Sequence, residues 1–210
     1  MTETAPPETG APRPPSRKRA GRQLVEWVLV LALALLAAFL IKTFLVQPFS
    51  IPSGSMEPTI KPGDRVLVNK LSYDFHPVHR GDIVVFKKPL SDTEGGSIQD
   101  LIKRVIGLPG ETLRSGPHGE VFVDGRLIRQ PWLTRAARID PGPAICAPGN
   151  SYSHVDCRGS VLHLPRGEYF VMGDNRGDSE DSRYWGPLPD HLIVGRAFVI
   201  FWPLSRLHWF

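Results

Sequence analysis

Asp100-Leu101-Ile102-Lys103-Arg104-Val105-Ile106-Gly107-Leu108-Pro109-Gly110 sets the character of this chain. The run is aliphatic and β-branched, it stops at a Pro-Gly turn, and it reads as a strand. On a strand Leu101, Lys103 and Val105 share one face, and Ile102, Arg104 and Ile106 share the other, so one cation stands on each apolar face. Arg104 can serve there only as a permanent charge. Lys103, taken out of water, could give up its proton and become a base. A solvated edge strand is the plainer reading of the same two cations.

Outward from that run the period of two recurs. Residues 65–68, 82–86, 120–123, 168–172 and 197–202 are short, β-branched or aromatic stretches bounded by Gly, Pro or Asp, the pattern of a mostly β domain. The last apolar run, 193–204, contains Gly195, Arg196 and Pro203 and is too short to cross a bilayer; it reads as a buried closing strand, with 205–210 as a C-terminal tail.

The N-terminal part differs in kind. Residues 24–46 are almost wholly apolar, interrupted by Glu26 near one end and by Lys42 and Thr43 near the other. At ~1.5 Å per residue the stretch spans roughly 34 Å, enough for a hydrocarbon core of about 30 Å, so one transmembrane helix is expected. Arg17, Lys18, Arg19 and Arg22 precede it and only Lys42 lies at its far end, which puts the N-terminus in the cytoplasm and everything after Pro48 outside. A cleaved secretory signal fits less well, because the stretch is long for an h-region and no Ala-x-Ala site follows it. Residues 1–23, rich in proline and nearly free of apolar side chains, read as a disordered cytoplasmic tail.

Most of the chain's formal net charge of +4 resides in that tail, so the basic balance argues for no nucleic-acid partner. Cys146 and Cys157 are the only cysteines, and the turn-forming Pro148, Gly149 and Asn150 between them permit a loop closed by a disulfide in an oxidising compartment. A zinc site from Cys146, His154, Cys157 and His163 is the alternative, without the paired spacing of the strong metal motifs.

Two further stretches carry chemistry. Pro52-Ser53-Gly54-Ser55-Met56-Glu57-Pro58-Thr59 puts serines in a Pro/Gly-framed loop just beyond the apolar stretch, as a surface turn or as a nucleophile loop. Residues 172–186 (MGDNRGDSEDSRYWG) crowd hydroxyls and opposite charges behind a β run, as a polar turn or as a hydrogen-bonded wall. An EF-hand fails there: counted from Asp174, the sixth position is Ser179 rather than glycine.

Taken together and in this order, the blocks Pro-Ser-Gly-Ser-Met-x-Pro-Thr (52–59), Gly-Asp-Ile-Val-Val-Phe (81–86), Lys-Arg-Val-Ile-Gly-Leu-Pro-Gly (103–110) and Gly-Asp-Asn-Arg…Ser-x-Asp-Ser-Arg (173–183) closely resemble bacterial type I signal peptidases, over roughly residues 48–203. The resemblance implies a membrane-anchored serine/lysine endopeptidase that removes signal peptides from exported preproteins at the outer face of the cytoplasmic membrane. It implies an antiparallel β catalytic domain (48–111 and 167–204) with a smaller β subdomain inserted at 112–166, which here carries the cysteine pair. By position Ser55 matches the nucleophile and Lys103 the general base; Ser53 matches the hydroxyl that joins the Ser55 N–H in the oxyanion hole; Ser179, Asp181 and Arg183 match residues that support the dyad. Phe49, Ile51, Pro52, Met56, Leu101 and Ile102 fall where the family lines its pockets for small substrate side chains. The departure is Gly177-Asp178, where the family often has Asp-Asn. Preproteins and membrane lipids are the implied partners, with a monomer expected, and neither cofactor nor metal is called for.

The residue types suit that chemistry. A serine hydroxyl needs a base within hydrogen-bond reach, and a lysine serves only when burial favours its neutral form. Other hydrolase patterns are missing: position 53 is serine, which breaks a Gly-x-Ser-x-Gly elbow, and there is no Ser-x-x-Lys. An anchored binding or assembly protein that keeps the fold but is catalytically silent is the reading from another class, and the loss of Ser55 or Lys103 would be its mark. Both are present.

Overall fold

The computed structural model describes residues 17–40, 45–89, 100–147 and 156–210, and the chain divides into two compact units between Lys42 and Thr43. In the first unit α1 runs Arg17–Leu40, with Val25, Trp27, Leu31, Leu35 and Phe39 exposed. It thus begins seven residues before the apolar stretch, inside the tail read as disordered, whose residues 1–16 lie outside the described set. Residues 41–44 of the expected span also lie outside it, and Val46 is the first residue of a strand. From Val25 to Phe39 a helix rises only roughly 21 Å. Among the described residues no helix is long and apolar enough to cross a membrane.

The second unit is mostly antiparallel β, in two sheets. Its strands are β1 (Val46–Ser50), β2 (Arg65–Asn69), β3 (Ile83–Lys87), β4 (Asp100–Gly107), β5 (Thr112–Ser115), β6 (Val121–Val123), β7 (Arg126–Leu127), β8 (Asp156–Arg158), β9 (Val161–His163), β10 (Glu168–Met172), β11 (Leu188–Pro189), β12 (Ile193–Trp202) and β13 (His208–Trp209). Short helices α2 (Ser72–Phe75), α3 (Arg135–Ile139) and α4 (Ser182–Trp185) punctuate them. The larger sheet has the order β1-β2-β12-β3-β4-β10-β11, with β13 on β12; the smaller is β7-β6-β5-β9-β8. Every strand of the smaller sheet falls in sequence between β4 and β10, neighbours in the larger one.

β3 explains why the larger sheet is covered on both faces. Ile83, Val84, Val85 and Phe86 are all buried. Ile83 and Val85 pack with Ile51, Met56, Val66 and Ile102, whereas Val84 and Phe86 pack on the other side with Val105, Val171, Trp185 and Leu188. An unbroken apolar strand needs such a double cover, since alternation would leave one face wet. A third cluster joins Ile106, Phe170 and Met172 of the larger sheet to Leu113, Val121, Val123 and Leu162 of the smaller, so the insertion is fastened by a shared core. Cys146 and Cys157 lie against that cluster, joined in a disulfide. With both sulfurs in that bond the zinc alternative falls; His154 is outside the described residues.

Candidate active site

Ser55 lies in the loop from β1 to β2, which is closed at its base by Ile51 N–H on the Asp64 carbonyl and Gly63 N–H on the Ile51 carbonyl. Lys103 stands on β4, paired across to Val84 of β3. Its Nζ donates to Ser55 Oγ at 2.7 Å. The residues are 4% and 7% exposed, so the amine and the hydroxyl meet almost out of water. The Ser53 hydroxyl lies 3.4 Å from Ser55 Oγ, on an exposed residue. An amine and a hydroxyl at that distance can exchange a proton directly.

Behind the pair lies a buried polar layer built by the loop after β10. Asp181 caps α4, accepting from Arg183 N–H, and receives the Arg183 guanidinium as a fork, Nε to Oδ1 at 2.7 Å and Nη2 to Oδ2 at 2.8 Å. Ser179 Oγ and Gly173 N–H donate to the same Oδ2 at 2.8 and 2.9 Å. Burial by itself would raise the Asp181 carboxyl, but the Arg183 guanidinium, its hydrogen bonds, the Gly173 N–H and the charge of Lys103 outweigh it and hold the group below its ordinary 3.8. The remaining Arg183 donors go to the carbonyls of Arg176, Ser179 and Pro141. Ser179, Asp181 and Arg183 therefore form one satisfied cluster, as buried charge requires.

Several members of the site carry no role in the sequence reading. Arg104, noted there only as a fixed charge, forks onto Asp174 at 2.9 and 2.7 Å, and Thr59 Oγ1 donates to the same carboxylate at 2.6 Å. This cluster fastens the end of the Ser55 loop to β4 and to the loop after β10. Asn175 holds the Ser55 loop directly, its N–H on the Ser55 carbonyl at 3.0 Å and its Nδ2 on the Gly54 carbonyl at 3.2 Å. Arg176, 1% exposed, donates to the Gly173 carbonyl and to Gln130 of the insertion. Burial, then neighbouring Arg183, pulls Arg176 down to about 10, against Asp181 and Asp174, so it stays a cation at neutral pH. At the departure, Gly177 leaves room for Asp140: a methyl group on it would lie 2.2 Å from Asp140 Oδ2. The named support residues keep their bonds despite that departure.

Of the residues expected to line pockets, Ile51 and Met56 of the Ser55 loop and Ile102 of β4 are buried in one core cluster, with Phe49 packed against it. Pro52 is exposed. Leu101 belongs elsewhere, packed on the opposite face with Val84, Phe86 and Val105. Two cavities of about 640 and 650 Å³ lie away from the pair, one beside Arg104, Trp132 and Arg206, the other on the insertion beside Leu127, Gln130 and Ala137. Neither is lined by Ser55 or Lys103.

A hydroxyl held to an amine, backed by an ionised carboxylate on a rigid β scaffold, is the equipment of a hydrolase. The chain belongs to the signal peptidase family, peptidase S26, whose model matches residues 24–202, and within it to the bacterial type I enzymes. It is 34% identical over 209 residues to the signal peptidase I of Leptolyngbya laminosa, a match covering 98% of this chain and 94% of that protein. It is 37% identical over 158 residues to the probable signal peptidase I-2 of Synechocystis sp., covering 75% of this chain and 63% of the relative, just under two thirds of its length. Signal peptidase I V of Bacillus subtilis is 39% identical over 147 residues, or 70% and 80% of the two chains. A solved signal peptidase I from Enterococcus faecalis aligns at 31% identity and TM-score 0.41 over 58% of this chain and 97% of its own.

Proposed function

We propose that this chain cleaves N-terminal signal peptides from exported preproteins, with Ser55 as nucleophile and Lys103 as general base. The observation that carries the reading is the 2.7 Å contact from Lys103 Nζ to Ser55 Oγ in surroundings that exclude water. In the reaction Lys103 takes the Ser55 proton as Oγ attacks the scissile carbonyl, and the Ser55 N–H and Ser53 Oγ receive the developing oxyanion. The amine then protonates the leaving nitrogen, and water, deprotonated by the same amine, hydrolyses the acyl-enzyme. Asp181, ionised and tied to Arg183 and Ser179, fixes the field in which the lysine works.

The apolar stretch that begins at Leu24 and ends before β1 anchors the enzyme in the cytoplasmic membrane with its N-terminus inside, its lipids being the other partner, and the enzyme acts as a monomer. Ser55 follows that stretch by about nine residues, so cleavage takes place at the outer headgroup region. The substrate lies extended, sending alternate side chains toward Ile51, Met56 and Ile102. Little room is left there, so small residues are required one and three positions before the cut. Incubating the detergent-solubilised protein with a preprotein bearing Ala-x-Ala before its mature start, with mass spectrometry of the products, tests the reading. One cut after the second alanine, absent in Ser55→Ala, is expected, with bulky replacements blocking it at either alanine but not between them. Uncut preprotein, or cleavage by Ser55→Ala, would refute it.

A further inference from the structure

We propose that the Asn175 side chain is a positioning element that aims the Ser55 backbone N–H at the oxyanion; the inference rests on reading Ser55 as the nucleophile. A trans peptide is planar, and its C=O and N–H point in opposite directions. Fixing the Gly54 carbonyl therefore fixes where the Ser55 N–H points. That carbonyl is held by two donors, the Glu57 N–H at 3.0 Å and Asn175 Nδ2 at 3.2 Å. On the far side of the Ser55 Cα, the Ser55 carbonyl takes the Asn175 N–H at 3.0 Å. One residue thus holds both peptide planes that flank the nucleophile.

The Ser55 N–H itself meets no protein acceptor among the described residues, although the residue is 7% exposed. A buried N–H left open is costly, and donors kept free at a reacting centre are what an oxyanion needs. Holding the loop in place does not require the Asn175 amide: its backbone N–H, the Thr59 hydroxyl on Asp174 and the close approach of Gly173 do that already. The amide adds a constraint on the tilt of one peptide plane. Because Glu57 N–H remains when the amide is removed, the donor is misaimed rather than lost, and the effect is smaller than the 10²–10³-fold that follows loss of one oxyanion donor.

The test uses the full chain in detergent, as wild type, Asn175→Ala, Asn175→Asp and Ser55→Ala. Preprotein turnover is measured together with the affinities of a signal-sequence peptide aldehyde, which forms an anionic hemiacetal on the serine, and of the same peptide ending in an amide. We expect kcat to fall about tenfold in Asn175→Ala with KM within about twofold, and the aldehyde-to-amide affinity ratio to fall by a similar factor. Asn175→Asp falls further, because a carboxylate repels the Gly54 carbonyl. Taking the ratio on one preparation cancels any loss of folded protein. An unchanged ratio, or both peptides weakening together, overturns the proposal. Ser55→Ala separates the underlying reading: if the aldehyde keeps its advantage there, it is the assignment of the nucleophile that fails.

Discussion

Gly173 and Ser55 touch backbone to backbone: a methyl group on Gly173 would lie 2.4 Å from the Ser55 carbonyl oxygen and 2.3 Å from Ser179 Oγ. The Ser55 loop and the charged layer behind it meet where one residue has no side chain. Gly173→Ala forces the Ser55 backbone and the Ser179 side chain to shift, and a displacement near 1 Å at a reacting group costs about 10²-fold in rate. Turnover should fall by that order while the circular-dichroism spectrum stays that of the wild type.

Lys103→Arg keeps the charge of the side chain but not its chemistry. A guanidinium does not give up its proton at working pH. Cleavage should drop at least about 10³-fold, as expected when a member of a coupled nucleophile pair is removed. A preprotein assay reads this directly, and appreciable turnover would exclude the lysine as base.

Asp174 is wholly buried, and its partner Arg104 has a 9% exposed side chain. Asp174→Ala leaves a buried guanidinium without its counter-charge and should cost about 3–5 kcal/mol. Thr59→Val removes only a neutral donor to the same carboxylate and should cost about 1–2 kcal/mol. Urea unfolding of both variants would rank them, and reversal of the order would show that Thr59 rather than Arg104 anchors the carboxylate.

Asp181 gives the pH dependence a definite sign. Its folded carboxyl lies below the ordinary 3.8, so the unfolded chain binds the proton first. The contribution to stability is fully present above that value and is lost as pH falls through the folded one. Asp181→Asn should lower stability at neutral pH and flatten its decline below about pH 4, as read from unfolding curves taken at a series of acid pH values.

The sheet was legible from residues because β3 and β4 carry their apolar side chains with no interruption but Lys103 and Arg104, and those two announce that something must neutralise them. What neutralises them was not legible. Arg104 and Asp174 are 70 positions apart, and Thr59 and Asp174 are 115 apart, so no local pattern connects them. The demand for a carboxylate can be read from a cation on an apolar face; its address depends on strand order, which periodicity does not encode. The end of the apolar stretch was misread for a related reason. Val46 is as apolar as the residues before it, and only its pairing with Asn69 of β2 shows it to be strand.

β12 has a consequence for timing. It is inserted between β2 and β3, yet in sequence it follows every other strand of the larger sheet except β13. Ser55 is carried by the β1–β2 hairpin and Lys103 by the strands beyond β3, and until residues 193–202 leave the ribosome those two parts have open edges instead of a common sheet. The pairings of β12 with β2 and β3 join residues more than 100 positions apart in sequence, the kind of contact that is slow to form. The 2.7 Å contact between the hydroxyl and the amine thus depends, for its common sheet, on a strand that comes after both of them in the order of synthesis.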